Sequence, residues 1–238
     1  MAKRKITFEN GEFYHVYNRG VDKRNIIMNG DDINRMLESL AVFNTTKSVG
    51  SIYEHSRVNN QIGSNASKLV EIIAFNILGN HYHLILKQLV EGGISKFMHS
   101  FGTGYAKHFN EKYDRSGVLF QGPFKAVHID SEEYLRYVID YVNLNHLIHD
   151  LKSLEHQASK WGRRSSLEQY ISSDRKSWKN KYFKCGVDFV IKGNKDYKDY
   201  EKNAKGMARA LKNKKKESKL IIWKQRVQMG GNWGSLEL

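Results

Sequence analysis

The chain has 238 residues, with 39 Lys plus Arg against 25 Asp plus Glu and a formal net charge of +14. Its 40% hydrophobic and 12% aromatic content excludes a globally disordered chain, and no run approaches the roughly 18 consecutive apolar residues of a membrane span. The single cysteine, Cys185, excludes an intramolecular disulfide framework and a cysteine-based zinc cluster, and points to a reducing cytosol. The opening MAKRKITFENGEF is positive but has no apolar stretch behind it, so it does not read as a secretion signal. This length fits one domain, or a core domain with an appendage, and the charge favours a polyanionic partner.

In chain order, EFYHVYNR at 12–19 mixes aromatic and β-branched residues ahead of Gly20 and predicts a first strand. Asp31 and Asp32 are placed to cap a helix running to about Phe43, with Ile33, Met36, Leu37, Leu40 and Val42 as its apolar positions. Residues 44–67, rich in Ser, Asn, Thr and Gly, read as an exposed loop or insertion. VEIIAFNIL (70–78) and HYHLILK (81–87) predict two apolar strands around a tight turn at Gly79 and Asn80. Gly92 and Gly93 precede a helix expected from Ile94 to Tyr113, weakened in its middle by Gly102 and Gly104. VLFQGPFKAVHI (118–129) reads as extended, with Pro123 at a bulge or edge. Asp130 with Glu133 forms a capping-box pattern for a helix running to about Ile148. The order strand, helix, strand pair, helix, extended segment, helix predicts an α+β fold, an antiparallel sheet with helices on one face.

The last quarter of the chain is different. Residues 192–226 carry thirteen Lys or Arg against four acids, nine of the fourteen net positive charges. They read as a basic tail, helical at least across Asn203–Lys219. Such a tail is either a solvated appendage or a phosphate-contacting arm whose affinity would fall steeply with salt.

His81 and His83 lie two apart in a predicted strand, so both imidazoles face one side, with Cα atoms about 6.6 Å apart. Tyr82 faces the other side. Such a pair is either hydrogen-bonded and inert or half of a metal site that needs a third donor. The helix after Asp130 places Tyr141 and Asn145 on one face, one turn apart. That pattern also suits an amphipathic helix whose tyrosines pack on a sheet. Tyr105, Tyr113 and Tyr137 are competing tyrosines, with Tyr137 directed about 40° away from Tyr141.

Four stretches together carry a resemblance: YHVYNRG at 14–20, LGNHYHLIL at 78–86, FNEKYDRSGVLFQGPFKAV at 109–127 and YLRYVIDYVNLNHLIHD at 134–150. Trp161, Ser165, Ser166 and Tyr170 form a weaker fifth. In that combination and order the sequence resembles the REP-associated tyrosine transposases, within the single-strand DNA transposases of the His-hydrophobic-His endonuclease superfamily. The resemblance covers about residues 12–170, which marks 1–170 as the transposase domain and 171–238 as a basic, partly helical extension. It implies a ferredoxin-like or RRM-like core. It implies that His81, His83 and Asn145 bind Mg²⁺ or Mn²⁺ and that Tyr141 is the nucleophile. The implied partner is single-stranded DNA beside a palindromic hairpin, met by a monomer or homodimer in the cytoplasm, at the nucleoid. Two residues depart from the pattern. Tyr82 replaces a smaller aliphatic residue, and His146 stands where Pro commonly follows the Asn.

The chemistry matches these residue types. A tyrosine hydroxyl attacking a phosphodiester conserves bond energy in a phosphotyrosine, so rejoining needs no external energy source. A cation held by two imidazoles and an amide oxygen leaves positions for phosphate oxygens. By resemblance the intermediate is a 5′-phosphotyrosine with a free 3′-hydroxyl. Arg19, Arg115, Phe120 and Lys125 are candidate nucleic-acid contacts, through phosphates or base stacking. The alternative expectation is a non-catalytic hairpin-binding DNA or RNA protein on the same fold.

Overall fold

Alternation along the first strand sets the two sides of the sheet. In β1 (Phe13–Arg19), Tyr14, Val16 and Asn18 are buried on one side, while Phe13, His15 and Tyr17 occupy the other. The computed structural model describes residues 6–47, 67–149, 165–166 and 213, the side chains of 146–149 excepted. After β1 come α1 (Gly30–Val42), the hairpin β2 (Val70–Ile77) and β3 (His81–Gln88), α2 (Gly93–Lys112), β4 (Lys125–Ile129) and α3 (Glu132–His149). The sheet order is β2-β3-β1-β4 with every pairing antiparallel. With a helix following β1 and another following β3, this is the ferredoxin-like arrangement that the resemblance implies.

Helices α1 and α2 cover the Tyr14 side. Tyr82 meets Phe101 of α2 edge-on at 5.5 Å between ring centroids. Along α2 an aromatic falls at every fourth residue, Phe97, Phe101, Tyr105, Phe109 and Tyr113, and consecutive rings lie 4.7–6.3 Å apart. That spacing keeps successive rings on nearly one helix face, so α2 presents a continuous apolar stripe to the sheet. Tyr105 closes the contact by donating its hydroxyl to the Ile26 carbonyl at 2.6 Å. Helix α3 lies against the opposite side, where Tyr141 meets His83. The helices expected on one face are thus α1 and α2, and α3 makes a second layer.

Element ends shift slightly from the sequence expectation. The α1 cap is Asn29, whose side chain accepts from the Asp31 and Asp32 N–H groups, with Asp32 completing the box. Ser131 takes the cap expected at Asp130, accepting from Tyr134 N–H at 3.3 Å. Pro123 precedes β4 and stays outside its ladder. Asn44 pins the start of β2, accepting from Leu69 and Val70 N–H and donating to the Val70 carbonyl. Among the described residues no helix is long and apolar enough to cross a membrane. Most of the loop expected at 44–67, the region 150–190 apart from Ser165 and Ser166, Trp161, Tyr170, and the basic tail with its expected helix lie outside the described residues.

Asp32 joins the start of α1 to the end of α2. Its buried carboxylate accepts from Lys112 Nζ at 2.6 Å, Tyr113 Oη at 2.8 Å and Met28 N–H at 2.7 Å. Burial alone would raise its pKa, but the bonds from Lys112, Met28, Tyr113 and Asn29 outweigh it and hold the carboxyl below its ordinary value. A carboxyl depressed in the folded state contributes stability above its unfolded pKa, and that stability is lost as pH falls through the folded value. Thermal melts are therefore expected to lose stability below about pH 4, with the loss blunted in Asp32→Asn. Asp32→Ala is expected to cost about 2–4 kcal/mol by urea denaturation.

The two mid-helix glycines of α2 do not interrupt it, and they differ in their surroundings. A Cβ on Gly104 would lie 2.4 Å from the Phe43 ring, whereas one on Gly102 meets nothing within 4 Å. Gly102→Ala should stabilise by about 0.5–1 kcal/mol through helix propensity. Gly104→Ala should destabilise by forcing Phe43 aside, so the two urea midpoints should move in opposite directions.

Candidate active site

The side of the sheet facing α3 carries a row of polar residues. The ladder pairs Tyr17 of β1 with His83 of β3, His83 with Asn76 of β2, and Tyr17 with Lys125 of β4. Partners in register point to the same side, so Lys125, Tyr17, His83 and Asn76 cross the sheet in line. Arg19 pairs with His81 at the next polar position. The His81 and His83 rings are 5.2 Å apart and nearly perpendicular. Tyr17 stacks on His83 at 5.8 Å.

His15 enters this cluster from β1. Its Nε2 lies 2.9 Å from His83 Nδ1, with the rings stacked at 5.1 Å. Burial lowers the His15 pKa to about 4, so the ring is neutral at physiological pH. His81 Nδ1 lies 2.6 Å from Asn80 Oδ1, while Asn80 Nδ2 donates to the Lys23 carbonyl at 3.2 Å.

Helix α3 is tied to the sheet close to Tyr141 and Asn145. Asn76 Nδ2 donates to the Val142 carbonyl at 2.7 Å. Ser166 accepts from Phe75 N–H at 2.9 Å and donates to Asn143 Oδ1 at 2.5 Å, and Ser165 bridges Asn76 along the β2 edge. These ties place the Tyr141 ring 6.0 Å from His83 and 6.3 Å from His15, edge-on to both. Burial raises the Tyr141 phenol above its ordinary value, the neighbouring Asn145 amide opposes this, and Tyr137 and Tyr17 add to it. The hydroxyl is therefore protonated at neutral pH. One turn on, Asn145 is fully buried and neither amide atom has a hydrogen-bond partner among the described residues. An orphaned buried amide costs about 1–3 kcal/mol, and such groups mark strain or a missing partner.

The side chains fit a divalent cation. Asn80 Oδ1 can only accept, so His81 carries its proton on Nδ1 and keeps its lone pair on Nε2. The buried Asn145 amide, near enough to Tyr141 to act on its phenol but without a well-formed hydrogen bond among the described residues, offers an oxygen. Among the described residues no three His, Cys, Asp or Glu gather in a cation-holding group, and the Asn145 amide oxygen is a further candidate donor beside His81 and His83.

Of the residues expected from the sequence, His81, His83 and Tyr141 meet in one place, with Asn145 a turn away on the Tyr141 face. Arg19 and Lys125 reach the same side of the sheet. Arg115 instead bonds Asn110 at 3.1 Å and lies over the Phe109 ring. Phe120 packs edge-on against Tyr82 at 5.7 Å, on the side away from the histidines. The competing tyrosines separate clearly: Tyr105 and Tyr113 bond Ile26 and Asp32, and Tyr137 is an exposed residue stacked on Tyr134. Sequence reasoning missed His15, Tyr17 and Asn76. The alternation of YHVYNR places His15 and Tyr17 on the Arg19 side, but only the pairing register brings them to His83. Tyr82 finds its room between Phe101 and Phe120.

Residues 54–145 match the family model described as transposase, IS200 like, a span that includes His81, His83, Tyr141 and Asn145. This match agrees with the resemblance over the second and third stretches and most of the fourth. No curated protein matches the chain. Among solved structures, the fold is similar to a REP-associated tyrosine transposase bound to a REP hairpin, with a TM-score of 0.46 and 15% identity over 79% of this chain and 93% of that one. It is also similar to a protein assigned as a transposase from Deinococcus radiodurans, with a TM-score of 0.34 and 11% identity over 58% of this chain and 93% of that one.

The tie between Ser166 and α3 can be tested directly. Ser166→Ala leaves Asn143 Oδ1 and the Phe75 N–H buried without this partner and should cost about 1–3 kcal/mol in urea denaturation.

Proposed function

We propose that this chain is a metal-dependent single-strand DNA endonuclease and strand transferase that acts beside palindromic hairpins through a covalent 5′-phosphotyrosine on Tyr141. One observation carries the reading: the half-buried Tyr141 ring lies against His83, and the fully buried Asn145 amide lies one turn further along the same helix, close enough to act on the Tyr141 phenol. The IS200-like family match supports it, as do the motif stretches that include these residues.

In this reading His81, His83 and Asn145 would hold Mg²⁺ or Mn²⁺. When bound, the cation neutralises charge developing on the phosphate oxygens and orients the phosphate. The Tyr141 phenol, protonated at rest, gives up its proton as its oxygen attacks phosphorus. The new bond joins the tyrosine oxygen to the 5′-phosphate, and the bond to the 3′ oxygen breaks. That oxygen leaves with a proton as a 3′-hydroxyl, which can attack the phosphotyrosine in the reverse sense. Its rigid placement on α3, tied to β2 through Asn76, supplies much of what in-line displacement requires. Arg19 and Lys125 lie on the same side of the sheet and would contact flanking phosphates, fixing position without reading sequence.

The test is covalent capture on a hairpin-bearing single strand with Mn²⁺, read as a denaturation-resistant protein–DNA band. Wild-type protein and Tyr17→Phe are expected to form the band, Tyr141→Phe to form none, and Asn145→Ala to lower its yield at least about tenfold. A band that persists in Tyr141→Phe moves the nucleophile elsewhere, with Tyr17 the next residue to replace. Tight hairpin binding with no band from the wild type would overturn the enzyme reading in favour of a non-catalytic hairpin binder.

A further inference from the structure

We propose that His15 is a positioning residue for His83, holding that ring in the tautomer that keeps the Nε2 lone pair available to a cation. The inference rests on the reading of His83 as a metal ligand and extends it to a residue on a different strand.

Two ring nitrogens 2.9 Å apart share a single hydrogen, so one of His15 Nε2 and His83 Nδ1 donates and the other accepts. If His15 donates, a neutral His83 carries its own proton on Nε2 and has no lone pair left for a cation. If His83 donates from Nδ1, its Nε2 keeps the lone pair. The neighbouring histidine indicates which arrangement belongs to the site. His81 Nδ1 faces Asn80 Oδ1 at 2.6 Å, and the Asn80 amide nitrogen is engaged by the Lys23 carbonyl, so the oxygen orientation is fixed. His81 therefore donates from Nδ1. A His83 held in the same tautomer by His15 gives two Nε2 donors from one strand face.

His15 itself is not a third ligand. Its Nε2 is directed at the His83 ring, and among the described residues no three-membered cluster of His, Cys, Asp or Glu forms around a common point. Its ring also lies edge-on to Tyr141 at 6.3 Å, so one side chain packs against both the ligand and the tyrosine. Hydrogen-bond partners of this kind orient metal-binding histidines, and losing one typically weakens metal affinity about 10–100-fold.

The experiment measures Mn²⁺ affinity of the whole protein without DNA, by calorimetry, for wild type, His83→Ala, His15→Gln and His15→Phe, with a thermal melt of each. It is paired with a ¹⁵N-histidine NMR spectrum of the metal-free wild type, which reads the His83 tautomer directly. The expected results are an Nδ1–H tautomer for His83, near-normal affinity in His15→Gln, whose amide oxygen still accepts, and a loss of about 10–100-fold in His15→Phe. An Nε2–H tautomer in the wild type overturns the inference without any variant, and so decides the matter even where His15→Phe does not fold. His15→Phe binding Mn²⁺ like the wild type overturns it as well. Wild type without measurable Mn²⁺ binding, or His83→Ala binding unchanged, overturns the metal-site reading itself and the inference with it.

Discussion

The register between β1 and β3 is the constraint on which the rest of the site depends. It sets Tyr17 opposite His83 and Arg19 opposite His81, and it places His15 within hydrogen-bonding distance of His83. Side chains alternate along a strand, so a slip of one residue would send all three to the helix-covered side and bring Tyr14, Val16 and Asn18 to the histidines. Burial resists that slip. Tyr14 and Val16 are buried under α1 and α2 against Leu84 and Leu86, and each would have to exchange that apolar environment for the α3 side. The packing of one side thus fixes the chemistry of the other.

The second constraint is the tie between the sheet and α3. A helix resting on apolar contacts alone could slide along its axis with modest loss, and Tyr141 would move with it. Asn76 removes that freedom. It stands in register with His83 and donates to the Val142 carbonyl, so the strand that pairs with the histidines also fixes the residue after the tyrosine. Ser166 adds a second tie through Asn143, the next residue along. Both sets of groups are therefore positioned from β2 and β3 rather than from loops, which suits a reaction that tolerates little misplacement.

Much of this was legible in the sequence because it follows from local periodicity. The two-residue repeat put His81 and His83 on one side and Tyr82 on the other, and the helical repeat put Asn145 one turn from Tyr141. Neither inference needs a distant residue. The contact of His15 with His83 was not legible, because it depends on the register between two strands far apart in the chain. Gly104 shows the same limit: it reads as a weak point in α2 until Phe43, from another helix, occupies the space of its missing side chain. The shift of the α1 cap to Asn29 has a different cause. Asn29, Asp31 and Asp32 all bear capping oxygens, and the choice falls to the residue whose neighbours have other uses, since Asp32 is also held by Lys112 and Tyr113.

Tyr82 and His83 show how one strand serves two purposes. A bulky Tyr82 between the histidines would be a liability if its ring shared their side of the sheet. Alternation sends it among Phe101 and Phe120 instead, and its burial pushes the phenol far above its ordinary pKa. Tyr82 is thus a neutral core residue, and the departure from the usual aliphatic residue is absorbed by α2 and the segment before β4. The polar side carries the opposite arrangement. Its residues are mostly uncharged, and Asn145 is buried there without a hydrogen-bond partner among the described residues, at a cost in stability. A fold that fills one side this densely can sustain such a cost on the other. The strongly basic composition can draw a polyanion towards the protein from any direction, whereas the attack on one phosphate is proposed for neutral groups held rigidly against a single strand.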